Sequence, residues 1–184
     1  MSNPQLTTVS YVVLGLVRDG ATTSYDMKQR VAKSVGYFWN FPHSQLYAEP
    51  PQLVELGLLA EQQEQGGRRR RVYTLTPAGR AALDTWLREA TTDQTQIRDT
   101  GLLKLFFGEG MSDDEIAALA REQERAHREL LSVYETIEKT IANPNYAAVV
   151  RSGVLHERMF ADFWREVAAT RLSLSSRDSG AGRR

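Results

Sequence analysis

The sequence predicts a mainly α protein with one small β-hairpin: a winged helix-turn-helix followed by a helical, coiled-coil-like domain. Three observations lead there. Apolar residues recur at spacings of three and four along much of the 184-residue chain. Two short strand-like segments, 58–64 and 71–75, flank a polar tip opened by Gly66-Gly67. The polar run Thr-Thr-Asp-Gln-Thr-Gln-Ile at 91–97 then divides the chain, giving expected domains 1–92 and 93–172 and a tail 173–184.

In order, residues 1–6 carry no pattern and are expected to be disordered. From Thr7, the positions of Val9, Val12, Val13, Leu16 and Val17 give a first helix that stops near Gly20. Thr23 offers a hydroxyl to cap a second helix, with Asp26 in the reciprocal position of a capping box. That helix carries Tyr25, Met27, Lys28, Arg30, Val31, Lys33 and Val35 before Gly36 ends it. The linker Tyr37-Phe38-Trp39-Asn40-Phe41-Pro42 is too aromatic to face water in a monomer. It is expected to pack between the first domain and the rest of the chain, or to line a ligand pocket or dimer seam.

A third helix opens at His43 or Ser44, with Ser44 as its cap, and presents Ser44, Gln45 and Tyr47 on a polar side. Leu46, Leu53, Leu56 and Leu58 supply the buried side. A proline inside a helix costs ~3 kcal/mol, so Pro50-Pro51 predicts a kink or a separate first turn. After Gly57 come the two strands, then Thr76 as cap and Pro77 as first residue of a fourth helix running to about Ala90.

In the second half, a short helix at 98–107 is apolar on more than one face through Leu102, Leu103, Leu105, Phe106 and Phe107. It is expected to be buried on more than one side. Ser112-Asp113-Asp114-Glu115 is a capping box that starts a long helix ending before Asn143-Pro144. Ile116, Leu119, Gln123, Ala126, Leu130, Tyr134, Ile137 and Ile141 form its heptad seam. A last helix, from about Tyr146 to Leu172, is apolar on two sides and is expected to pack on the long helix and across a two-fold axis. The expected dimer contacts are Ile116, Leu119, Leu130, Tyr134, Ile137, Phe160 and Trp164. The tail from Ser173 is expected to be disordered.

Composition narrows the function. The net charge is zero, with ten Lys and Arg against eight Asp and Glu over 1–90, and thirteen against fifteen over 91–184. The electrostatic case therefore rests on the local run Arg68-Arg69-Arg70-Arg71, since phosphate attraction acts within roughly 8 Å at physiological salt. Four adjacent arginines need solvent or a polyanion around them. A helix followed by a basic hairpin can set one element in a DNA groove and the other on the flanking phosphates. In that reading Gln45 is placed to pair with adenine, and the helix start at Ser44 favours phosphate. Arg71, next to the strand, has a cross-strand pair as its other role. The competing reading is a helical dimer whose winged helix binds a protein, the arginines meeting an acidic patch.

Nothing calls for a membrane, a metal or a cofactor. No apolar run approaches the ~18–20 residues of a membrane span, and a cytoplasmic setting fits best. There is no cysteine for a disulfide or thiolate site. His43, His127 and His156 lack metal-ligand spacing, and no phosphate loop or nucleophile elbow is present. Asp113, Asp114 and Glu115 are accounted for by the helix dipole, so no enzyme is expected. Trp39, Phe106, Phe107, Phe163 and Trp164 have two readings: the walls of a site for a flat aromatic effector, or ordinary core.

Specific words add to this. Val-Leu-Gly-Leu-Val and Thr-Ser-Tyr-Asp-Met within 13–27, Ser44-Gln-Leu-Tyr47, the segment 53–59 and Arg69 to Arg80 look like the PadR family of transcriptional regulators. The second half resembles the longer subfamily, in which Leu102-Leu-Lys-Leu-Phe-Phe107 precedes a long coiled-coil helix. The resemblance spans roughly 7–172 and implies a homodimeric repressor of double-stranded DNA on an inverted repeat. It implies dimerisation through the C-terminal helices and release by a small molecule or another signal. It further implies that the Ser44–Tyr47 turn enters the major groove, and that Tyr25 and Lys28 face the DNA backbone. The match departs at Glu49-Pro50-Pro51, where a continuous recognition helix is expected.

Overall fold

The computed structural model describes residues 6–39, 42–63 and 70–181, the last ten of these by backbone only. The chain divides into two compact units, Met1–Asp93 and Gln94–Arg184.

The first unit runs α1 (Thr8–Arg18), α2 (Ser24–Ala32), a single 3-10 turn at Val35–Tyr37, α3 (Gln45–Glu55), β1 (Leu59–Gln63), β2 (Arg71–Leu75) and α4 (Pro77–Trp86). Local chemistry sets most boundaries. Thr7 and Ser10 cap α1 reciprocally, and Thr23 and Asp26 do the same for α2. Gly57, at φ +71, ends α3 in the left-handed conformation that a side chain disfavours, and Leu58 N–H bonds back to the Leu53 carbonyl at 2.8 Å. Thr76 caps α4 with Pro77 as its first residue. The strands are antiparallel, with Leu59 opposite Leu75 and Gln63 opposite Arg71.

Val13 and Leu14 of α1 are wholly buried, and Met27, Leu46, Leu53, Leu59, Tyr73 and Leu83 close around them from every other element of the unit. Tyr11 stacks on Trp86 at 4.7 Å, which pins α4 to α1. The Tyr73 N–H donates to the Thr22 carbonyl at 2.7 Å, a one-bond stub of a third strand that ties the hairpin to the start of α2.

Several expectations are corrected. The first turn is not a separate element: Pro50 and Pro51 lie inside one helix, α3, with Pro50 fully buried. Its first turn is tightened by i→i−3 bonds onto Pro42, His43 and Ser44. The prolines cost only the amides that would reach Leu46 and Tyr47, and core packing of Pro50 offsets that. Ser44 occupies the cap position but forms no capping bond, because its backbone is already helical at φ −57, ψ −30. Helix α2 stops at Ala32 and α4 at Trp86, both earlier than expected. Leu56 is exposed, as are Tyr37, Phe38 and Trp39 of the aromatic linker.

The second unit runs α5 (Thr100–Phe106), a 3-10 turn at Gly108–Gly110, α6 (Asp113–Glu138) and α7 (Pro144–Ala181). The capping box of Ser112 and Glu115 starts α6. Helices α6 and α7 form an antiparallel hairpin, bridged by Asp113–Arg171 (3.2 Å) towards one end, His127–Glu157 (2.6 Å) and Glu135–Arg158 (2.8 Å) in the middle, and Glu138–Arg151 (3.7 Å) towards the other. Gly153 lets α7 approach the Tyr134 ring, where a Cβ would lie 3.0 Å from ring atoms.

The heptad seam is therefore used only in part inside the chain. Ile116 and Tyr134 of α6 and Phe160 and Trp164 of α7 are buried, while Leu119 and Ile137 are half-buried and Leu130 is exposed. Of the seven expected dimer contacts, these four are thus buried within the chain, and Leu119, Leu130 and Ile137 keep accessible surface. Helix α5 buries one side only, through Leu102 and Leu105, and exposes Leu103, Phe106 and Phe107. The backbone of α7 continues to Ala181 where a disordered tail was expected from Ser173. No proline interrupts it after Pro144, its first residue.

Candidate nucleic-acid interface

On the first unit, a groove of about 600 Å³ is lined by Thr23, Ser24, Tyr25 and Asp26 of α2 and its cap, Tyr47 and Pro51 of α3, and Arg70, Arg71 and Tyr73 of the hairpin. Sequence-predicted residues from three elements thus meet in one place. Tyr25 is 61% and Tyr47 51% exposed, so both rings stand on the surface and neither belongs to the core. Lys28, one turn along α2 from Tyr25, is exposed, and so are Ser44 and Gln45 at the start of α3. Arg68 and Arg69 lie outside the described residues.

The two described arginines have partners. Arg70 Nη2 donates to both carboxylate oxygens of Asp26, at 3.3 and 3.2 Å, and to Thr23 Oγ1 at 3.4 Å. Arg71 reaches across the hairpin to Glu61 at 3.5 Å, the cross-strand role considered for it. Burial alone would raise the Asp26 carboxyl. Hydrogen bonds from Thr23 and Thr22, together with the Arg70 charge, outweigh burial and hold it below its ordinary value. Burial, and after it the Glu61 charge, pushes the Tyr73 phenol up, so it stays protonated at neutral pH as a donor on the groove wall.

Sequence reasoning missed the residues that hold α3 and the hairpin in place. Buried Ser10 of α1 donates its hydroxyl to Glu49 Oε1 at 2.5 Å, fixing the middle of α3 against α1. Asp26 is legible as a capping residue, but its bond to Arg70, forty-four positions away, carries no local signal. Pro51 and Tyr73 join the groove only because α3 and β2 fold beside α2.

The effector residues divide. Trp39 belongs to the first unit and the other four to the second. Phe106 and Phe107 meet edge to face at 4.9 Å and are 79% and 75% exposed. Phe163 packs edge-on against Trp164 at 5.0 Å. Trp164 is fully buried, and among the described residues its indole N–H has no hydrogen-bond acceptor. Among the described residues no helix is long and apolar enough to cross a membrane.

Four packed helices, a two-stranded hairpin, and a third helix that turns Ser44, Gln45 and Tyr47 outward beside that hairpin define a winged helix-turn-helix protein. The comparisons agree along the chain. A model of the PadR-like transcriptional regulator family matches residues 13–85, and one of the virulence activator alpha C-terminal region matches 97–170. The negative transcriptional regulator PadR of Bacillus subtilis is 28% identical over 138 residues, 73% of this chain and 76% of that one. Its crystal structure with operator DNA superposes at TM-score 0.80 with 24% identity, covering 90% of this chain and 99% of that one. Its structure with p-coumaric acid gives 0.74, with the same identity and coverage. The Vibrio cholerae virulence activator AphA gives 0.68 with 27% identity, over 91% and 99% of the two chains. Over residues 13–85 the first unit thus carries the domain of the PadR-like transcriptional regulators.

Proposed function

We propose that this protein is a transcriptional repressor that binds duplex DNA sequence-specifically, as a homodimer on an inverted repeat. The observation that carries the reading is the groove in which Tyr25, Tyr47, Arg70 and Arg71 meet, with Lys28, Ser44 and Gln45 exposed on α2 and α3. A helix start presenting Ser44 and Gln45 fits a major groove, where a Gln amide pairs with adenine. The hydroxyls of Tyr25 and Tyr47 and the ammonium of Lys28 suit backbone phosphates, which set register without reading sequence. The run from Arg68 to Arg71 supplies the charge of the wing.

The second unit supports the dimer. Leu130, Val133, Val149, Leu155, Met159 and Phe163 leave apolar surface on both long helices after α6 and α7 have packed together. Release by a small aromatic ligand fits the same unit. A buried Trp164 N–H without an acceptor among the described residues offers a donor to a polar group of such a ligand.

The reading is tested by anisotropy titration of a labelled duplex over a range of salt. Each phosphate contact contributes about 0.9 to the slope of log K against log salt. Replacing Arg68 and Arg69 together by Ala should lower affinity for every sequence and flatten the slope by about two. An unchanged slope would remove the arginine run from the phosphates. Wild-type protein that binds no duplex would remove the function itself.

A further inference from the structure

We infer that Arg70 is a positioning residue: it holds the base of the wing on α2 through Asp26 and is not itself a phosphate ligand. The inference rests on the DNA-binding reading and narrows it, because the arginine run then divides by role.

The geometry around Asp26 is unusually complete for a surface carboxylate. Oδ2 accepts from the Thr23 N–H and the Thr22 hydroxyl, each at 3.1 Å, and both oxygens accept from Arg70 Nη2. The carboxylate is thus fixed by the capping box of a helix end before the wing arrives. Thr23, the other half of that box, accepts from the same guanidinium nitrogen. Next to it, the Thr22 carbonyl takes the Tyr73 N–H at 2.7 Å. The hairpin is therefore attached to the segment 22–26 at two adjacent points, by a backbone bond from β2 and by a charged side chain from the residue before β2.

To turn its whole guanidinium fork onto a phosphate, Arg70 would have to withdraw Nη2 from three acceptor atoms and strand the Asp26 charge beside the polyanion. Kept in place, the pair is neutral, adds nothing to the count of counterions released, and fixes the direction in which the rest of the wing leaves the body. A wing pivoting at its base would lose the entropy advantage of a prepositioned contact, so the role of Arg70 is felt through its neighbours.

The variants Asp26→Asn, Arg70→Ala and their combination, in the full chain, separate the roles. Asparagine keeps an oxygen for the capping bonds of Thr23 and Thr22 but removes the charge that Arg70 holds. Two readouts are needed. The first is amide hydrogen exchange of residues 59–63 and 71–75 without DNA. The second is the affinity and salt slope for a duplex of random sequence, about three helical turns long. The inference expects each single change to raise wing exchange and weaken binding several-fold, with the double variant no worse than either and all slopes equal to wild type. Tighter binding and a steeper slope in Asp26→Asn, or a slope flattened by about one in Arg70→Ala, would make Arg70 a phosphate ligand restrained by Asp26. Wing exchange unchanged in both single variants would also overturn the inference. If the wild type binds no duplex, the functional reading falls and the exchange data alone decide the positioning role.

Discussion

The carbonyl oxygen of Leu58 occupies the space a side chain on Gly79 would need: a Cβ built on Gly79 would lie 2.0 Å from it. That carbonyl also accepts from the Thr76 amide at 3.2 Å and the Thr76 hydroxyl at 3.0 Å, so it joins the entry of β1 to the start of α4. Helix propensity alone favours Gly79→Ala by about 1 kcal/mol. Overlap with a backbone atom works the other way, and overpacking of this kind costs about 1–3 kcal/mol. Sterics should win, lowering the urea midpoint of the variant. A variant as stable as wild type would mean that α4 does not lie this close to Leu58.

In the helical unit, His127 and Glu157 share a 2.6 Å hydrogen bond, with side chains only 18% and 9% exposed and the Phe160 ring 5.1 Å from the imidazole. Removing the imidazole in His127→Ala leaves a buried carboxylate without that partner, a loss of about 1–3 kcal/mol. Glu157→Gln, which keeps a hydrogen-bonding group and discards the charge, should cost less. Thermal melting of both variants checks the order. Equal and unchanged midpoints would show that the pair does not hold α6 to α7.

Acid should loosen the wing. The Asp26 carboxyl is lowered in the folded chain, so the folded state binds fewer protons than the unfolded one as pH approaches 3.8, the ordinary value. Its stabilising contribution is complete above that value and is lost as pH falls through the lower folded pKa. Protection factors for the wing amides should stay level from about pH 7 to about pH 5 and drop below about pH 4. Glu115 is lowered too, by backbone and side-chain hydrogen bonds from Ser112, and Glu122 by its hydrogen bond to Arg125, so global acid unfolding mixes several sources. The wing step should be absent in Asp26→Asn. Its persistence there would assign it to another group.

How much of the structure was legible in the sequence depends on the range of the forces involved. Caps are local, so Thr23 with Asp26, Thr76 with Pro77, and Ser112 with Glu115 were readable within four residues of chain. The family words and the two strands of the hairpin were readable for the same reason. The separate first turn considered for Pro50-Pro51 is absent, because the penalty is local but the packing of Pro50 into the core is not. The heptad seam showed that α6 has an apolar stripe, but periodicity carries no label for the partner, and α7 of the same chain takes part of it. The Arg70–Asp26 and Ser10–Glu49 bonds join residues 44 and 39 positions apart, beyond any pattern a single sequence displays.

On the proposed reading, Gln45, exposed at the start of α3, is the residue that reads a base. Changing it to Ala should relax preference at one position of each half-site, by about 1–3 kcal/mol between the best and the wrong base pair, with little effect on random duplex. Competition titrations with single-base variants of the preferred duplex measure this. A uniform loss across all of them would make Gln45 a positioning contact.

Selection from a randomised duplex pool, with the bound fraction sequenced at low and physiological salt, tests sequence-specific binding by a dimer most directly. The account predicts an enriched inverted repeat whose half-sites lie about one helical turn apart, roughly 34 Å, retained at the higher salt. Binding that fades with salt and enriches no motif would contradict it, and would leave the arginines as contacts for any polyanion.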